Sequence, residues 1–117
     1  WVGSGKPIFT TAKKELSPSD YHEILLTNEV VLVDIGSKFC GACKKVKPIL
    51  GTLRQEKGNA LKIVELDLEE SPELIASLKN VTAFPFFILY KQGQIVWKRA
   101  GIKDLKSEID NAIATAR

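Results

Sequence analysis

The stretch VLVDIGSKFCGACKKVKPIL, residues 31–50, changes its periodicity in the middle, and that change decides the fold. Val30 to Ile35 is a continuous apolar run rich in β-branched residues, which suits a strand buried on both faces in a parallel sheet better than a half-exposed one. Asp34 interrupts it. After a loop from Gly36 to Gly41, apolar residues recur at Val46, Ile49, Leu50 and Leu53, the spacing of one helix face, and Lys57-Gly58-Asn59 supplies the stop. Pro48 is expected to kink this helix. A buried strand that hands over to a helix is the opening of an α/β unit.

Working outward, Ser17-Pro18-Ser19-Asp20 reads as a helix start, with a serine N-cap, proline at the first helical position and an acid in the first turn, and that helix runs to about Thr27. Leu61 to Leu68 alternates as a strand. Ser71-Pro72-Glu73 repeats the start signal for a short helix to about Lys79, and Phe86 to Lys91 is the next strand. Gln92-Gly93 makes a tight turn into Ile95 to Arg99, and Leu105, Ile109, Ala112 and Ile113 mark a last amphipathic helix. The expected architecture is an α/β three-layer domain over residues 9–117, a central mixed β-sheet flanked by helices. Residues 1–8, with two glycines and a serine, read as a flexible lead-in or linker.

Length and charge narrow the function classes. A chain of 117 residues, 44% hydrophobic, can bury one sizeable core and has no room for a second domain. Its net charge of +3 is spread among acids and bases with no basic run, which disfavours nucleic acid. No apolar run approaches the roughly 20 residues of a membrane-spanning helix, so stable membrane insertion within this chain is not expected; a monomer is expected separately. The chain has no methionine and starts at Trp1. A removed signal peptide, an anchor or a shortened cytosolic form would each give such a start, and with the glycine-rich lead-in the expectation leans to a secreted, periplasmic or membrane-tethered protein.

The only cysteines, Cys40 and Cys43, stand in Cys40-Gly41-Ala42-Cys43 at the strand-to-helix junction. As a staple the pair would close too short a loop to restrict the unfolded chain much. A helix N-terminus, by contrast, offers free amide hydrogens and the positive end of its dipole, which favour a thiolate at Cys40. Cys43, one turn on and deeper, is suited to resolving a mixed disulfide, and Lys38 and Lys44 add positive charge. Zinc would need two more ligands, and His22 is the only candidate besides carboxylates, so no metal is expected. An inert cysteine pair remains the bland alternative. Asp34, an acid in an apolar strand, must find partners or hold its proton, unless it sits at a turn-facing strand end.

Together with VTAFPFFILYKQGQIV, residues 81–96, and Gly101, these features resemble the thioredoxin family from about Phe9 to the last helix. The resemblance implies thiol-disulfide exchange, with Cys40 attacking, Cys43 resolving, Asp34 managing protons beneath the pair and Pro48 kinking the active-site helix. It also implies a cis proline at Pro85, with the Phe84 backbone offered to extended substrate in a shallow apolar groove bordered by Phe39, Gly41 and Ala42. The redox disulfide would be the only cofactor. Protein disulfides would be the substrates and an upstream dithiol or reductase the electron donor.

The departures fall at the motif's edges. Gly36 and Ser37 stand where many members have tryptophan and alanine, Phe39 stands for a second tryptophan, and Gly-Ala separates the cysteines instead of Gly-Pro or Gly-His. Direction of electron flow is therefore open: a reductase or electron carrier leads, ahead of an extracytoplasmic disulfide oxidase or isomerase and of a non-catalytic binding module. An ungapped count puts Glu65 in place of the family's lysine beside the acid. It is expected to share a proton with Asp34, unless it escapes to solvent or to Lys62.

Overall fold

The strand Val30–Gly36 (β1) is the middle of the molecule in a computed structural model that describes residues 16–79 and 81–116. It pairs in parallel with Lys62–Asp67 (β2) along one edge and antiparallel with Phe86–Lys91 (β3) along the other. Gln94–Ala100 (β4) adds antiparallel to β3, so the four-stranded mixed sheet has the order β2-β1-β3-β4. Its helices are Pro18–Thr27 (α1), Val46–Lys57 (α2), Pro72–Ser77 (α3) and Leu105–Thr115 (α4).

Side chains alternate across β1, and the alternation sorts the core into two layers. Val31, Val33 and Ile35 join Tyr21 of α1, Leu74 and Ile75 of α3, and Phe86 and Ile88. Leu32 joins Val46, Leu50 and Leu53 of α2, Leu105 and Ile109 of α4, and Phe87 and Leu89. Helices thus cover both faces, which explains why β1 is apolar on both faces apart from Asp34. The lead-in expected over residues 1–8, and the domain start at residue 9, lie outside the described residues.

Local signals act as the sequence implies. Ser17 Oγ accepts the Asp20 amide at 3.1 Å while Asp20 accepts the Ser17 amide, a reciprocal cap with Pro18 at the first position. The Gln92-Gly93 turn joins Lys91 to its partner Gln94 with φ of 51° and 80°, the doubly positive geometry that suits a twisted two-residue hairpin.

Differences lie at element ends. β2 is shorter than expected because Leu61 closes a 3₁₀ turn on Gly58 and Leu68 donates its amide to the Gly36 carbonyl at 2.8 Å. The third helix stops at Ser77. The stretch expected as one kinked helix is a 3₁₀ turn, Ala42–Lys45, that becomes α-helical at Val46. Pro48 has no amide for the carbonyl four residues back, at Lys44, so the change of winding falls within the turn that proline disturbs.

Phe87 is fully buried between β1 and β4 in the layer under α2 and α4. Phe87→Ala should cost about 3–5 kcal/mol, read as a lowered urea midpoint of the oxidised protein with an unchanged slope.

Candidate active site

The loop leaving β1 carries the two cysteines into the 3₁₀ turn. Cys40 N donates to the Ser37 carbonyl at 3.1 Å, and Cys43 N donates to the Cys40 carbonyl and approaches Cys40 Sγ, both at 3.2 Å. The pair is joined as a disulfide, with Cα atoms 5.3 Å apart. Sγ of Cys40 therefore lies where a helix-start amide points, as a thiolate there requires. Cys43, expected to lie deeper than Cys40, is half-buried as Cys40 is. Gly36 explains the opening at Cys43, because a Cβ built there would stand 3.2 Å from Cys43 Sγ.

Asp34 lies within β1, not at its end, and strand alternation turns it to the same face as Leu32, toward α2. Its Oδ1 has no hydrogen-bond partner in the protein. Burial, with a smaller push from the Glu65 charge, raises its pKa to about 7 against the pull of Lys47 and Arg54. Glu65 is its direct neighbour in register on β2.

The expected sharing of one proton by these two acids is corrected by where Glu65 points. Its oxygens receive Lys47 Nζ at 2.9 Å and Arg54 Nη2 at 2.8 Å, two side chains seven residues apart on one face of α2. Burial pushes the Glu65 carboxyl up, but the hydrogen bonds from Arg54 and Lys47 outweigh it and hold the group ionised below its ordinary range. Of the two acids, Asp34 is the one whose pKa is raised, and Glu65 the one whose pKa is lowered. The partners are Lys47 and Arg54 rather than Lys62, and the only local signal for them is their spacing of seven residues, which puts both on one face of α2.

Glu69, also missed, fixes the loop before Cys40. Its carboxylate accepts Ser37 Oγ at 2.7 Å and the Lys38 amide at 2.9 Å, and Ser37 Oγ in turn receives the Phe39 amide at 3.2 Å. The neighbouring Asp67 carboxyl and then these donors hold Glu69 down to about 2, while burial and then Glu69 itself push Asp67 up.

Beside the disulfide, Phe39, Gly41, Ala42 and Phe84 line a shallow groove with Cys40. Phe39 is 88% exposed, an unusual position for so large an apolar ring. The Phe84-Pro85 peptide is cis. Pro85 is fully buried, and Phe84 before it lines the groove. His22 is exposed on α1, and among the described residues no group of His, Cys, Asp and Glu is placed to hold a metal ion.

Comparison with known proteins matches residues 12–115 to the family model described as Thioredoxin. Thioredoxin of Listeria monocytogenes is 37% identical over 84 residues, 72% of this chain and 80% of that one. Thioredoxin H2 of Arabidopsis thaliana is 32% identical over 97 residues, covering 83% and 70%. The oxidised crystal structure of mitochondrial thioredoxin 3 from Saccharomyces cerevisiae superposes with a TM-score of 0.74 at 29% identity, over 87% of this chain and 93% of that one.

Two outcomes test the electrostatics. Unfolded Asp34 ionises near pH 4 and the folded group at about 7, so between these values the folded protein binds a proton that the unfolded chain does not. Its contribution to stability is present below pH 4 and is lost as pH rises to 7. Asp34→Asn should therefore be more stable than the parent at pH 8 by on the order of 2–4 kcal/mol, and close to it at pH 4; parallel urea curves at the two pH values check this. Glu65→Gln removes the negative neighbour and leaves both cations, so it should lower the Asp34 pKa. A carboxyl-carbon NMR titration that leaves Asp34 unmoved would refute the assignment.

Proposed function

The chain belongs to the thioredoxin family and is a thiol-disulfide oxidoreductase, and we propose that it serves as a reductase or electron carrier for protein disulfides. The observation that carries this reading is the convergence of three groups. Cys40 and Cys43 stand at a helix start, and buried Asp34 lines the same cleft as both sulfurs. A non-catalytic module would need none of them.

In the reduced protein the Cys40 thiolate, favoured by the Cys43 amide and the helix start, attacks one sulfur of a substrate disulfide. A mixed disulfide forms and one substrate thiolate leaves. Cys43 must lose its proton before it can attack Cys40 Sγ and release the second thiolate. Asp34, with a pKa of about 7, is present near neutral pH in both protonated and ionised forms and is suited to take that proton. Lys47 and Arg54 neutralise Glu65, so that ionising Asp34 does not place two uncompensated charges under the pair.

Extended substrate would lie in the groove of Phe39, Gly41, Ala42 and Phe84, its apolar side chains against the exposed ring of Phe39. The cycle needs no cofactor beyond the cysteines, and a dithiol protein or a reductase would restore them. The protein would act as a monomer.

Insulin reduction with dithiothreitol should be accelerated by the parent and fall to the uncatalysed rate in Cys40→Ser. Cys43→Ser should accumulate mixed disulfides on Cys40, visible by mass spectrometry. Equilibration in a graded glutathione buffer should place the reduction potential near about −270 mV, in the range of reducing thioredoxins; a value near −120 mV would make the protein an oxidase.

A further inference from the structure

Among the described residues Phe39 is the most exposed of the large apolar side chains, yet the backbone that carries it is held at every amide. Lys38 N donates to Glu69 Oε1 at 2.9 Å, Phe39 N to Ser37 Oγ at 3.2 Å and Cys40 N to the Ser37 carbonyl at 3.1 Å. Ser37 Oγ itself donates to Glu69 Oε2 at 2.7 Å. A hydroxyl has one hydrogen, and once it is given to Glu69 the lone pairs are left for the Phe39 amide. Glu69 thus reaches Phe39 through Ser37.

The carboxylate is brought there by the end of the sheet. Leu68 N donates to the Gly36 carbonyl at 2.8 Å, and Glu69 N donates to Asp67 Oδ1 at 2.9 Å. Among the described residues Glu69 forms no salt bridge, so its charge is directed at the Ser37 hydroxyl and the Lys38 amide. Such charge-assisted bonds are stronger than neutral ones. The ring they steady gains nothing from water, and it lines the groove with Ser37 and Phe84.

We propose that Glu69 is a specificity-determining positioning residue: through Ser37 it fixes the backbone at Phe39, aims the ring along the groove, and so selects disulfides flanked by an apolar side chain. This rests on the exchange and the groove proposed above. Without Glu69 the Ser37 hydroxyl is free to turn and the loop would have to be ordered by each substrate, a cost charged against binding. With it the anchor is in place before the substrate arrives.

Two extended peptides test this, each joined through its single cysteine to a second copy as a disulfide, and alike except for leucine or serine beside that cysteine. Reduced full-length protein is oxidised by each in single turnovers, and each rate is divided by that of the same peptide with free dithiothreitol, which removes differences in leaving group. The parent should prefer the leucine peptide by about tenfold, the yield of half-burying a leucine side chain. Glu69→Ala should cut that preference by about fivefold, the ordering cost now falling on the binding step. Phe39→Ala should cut it as far, and the double variant should fall no lower than either single one. Ser37→Ala, which breaks the link and leaves Glu69 in place, should reproduce the loss, and it decides alone if Glu69→Ala does not fold. Equal rates with the two peptides in a parent that still reduces insulin, a preference that Glu69→Ala or Ser37→Ala leaves intact, or a double variant in which the two losses multiply would each overturn the proposal. A parent oxidised by neither peptide and inactive on insulin would overturn the oxidoreductase reading beneath it.

Discussion

Pairing of β1 on both edges, with burial of both its faces, is the constraint from which the rest of the molecule follows. A strand so enclosed has no freedom of register, since a slip by one residue would exchange its two faces. Leu32 would then leave the layer under α2 and α4, and Val31, Val33 and Ile35 would leave the layer under α1 and α3. The same register sends Asp34 under the active-site helix and opposite Glu65, and it fixes where the chain emerges at Gly36 to begin the cysteine loop. Position in the site is thus inherited from the core.

An acid held in this way is costly to ionise, and the surrounding charges moderate the cost without removing it. Glu65 alone would leave two carboxylates facing each other across one strand pair. Lys47 and Arg54 instead bracket Glu65, so that the strand neighbour is ionised and compensated while Asp34 remains the group that titrates near neutrality. Burial dominates the Asp34 shift, and the charges trim it. A proton carrier beneath a cysteine pair needs that balance, because a fully compensated aspartate would stay ionised and a fully isolated one would stay neutral.

The loop between β1 and the helix is held by different means. Glu69 accepts the Ser37 hydroxyl and the Lys38 amide, so the approach to Cys40 is set by a carboxylate from the β2–α3 loop. Gly36 leaves space beside Cys43 where a larger residue would press on the sulfur. The two sides of the disulfide consequently differ: an apolar face at Phe39 and Phe84, and a charged face under Lys44 and Glu70.

Local and periodic features were legible in the sequence, and they went far. The apolar run of β1, the helical spacing of α2, the caps at Ser17 and the Gln92-Gly93 turn depend on neighbours within a few residues, and they set the α/β class and put the cysteine pair at a helix start. Family resemblance added roles for Cys40, Cys43 and Asp34 and a cis bond at Pro85. What the sequence missed depends on contacts distant along the chain. Whether Glu65 would share a proton or form ion pairs turned on which face of α2 lies above β2, and the helix docking supplied Lys47 and Arg54 rather than Lys62. Glu69 and Ser37, 32 residues apart, meet only because β2 lies parallel to β1. The sequence by itself determined the elements and the reactive pair, because periodicity and capping are local. Only the tertiary structure decided which charges surround that pair, because the free energy of a buried carboxyl depends on the groups that packing brings within a few ångströms of it.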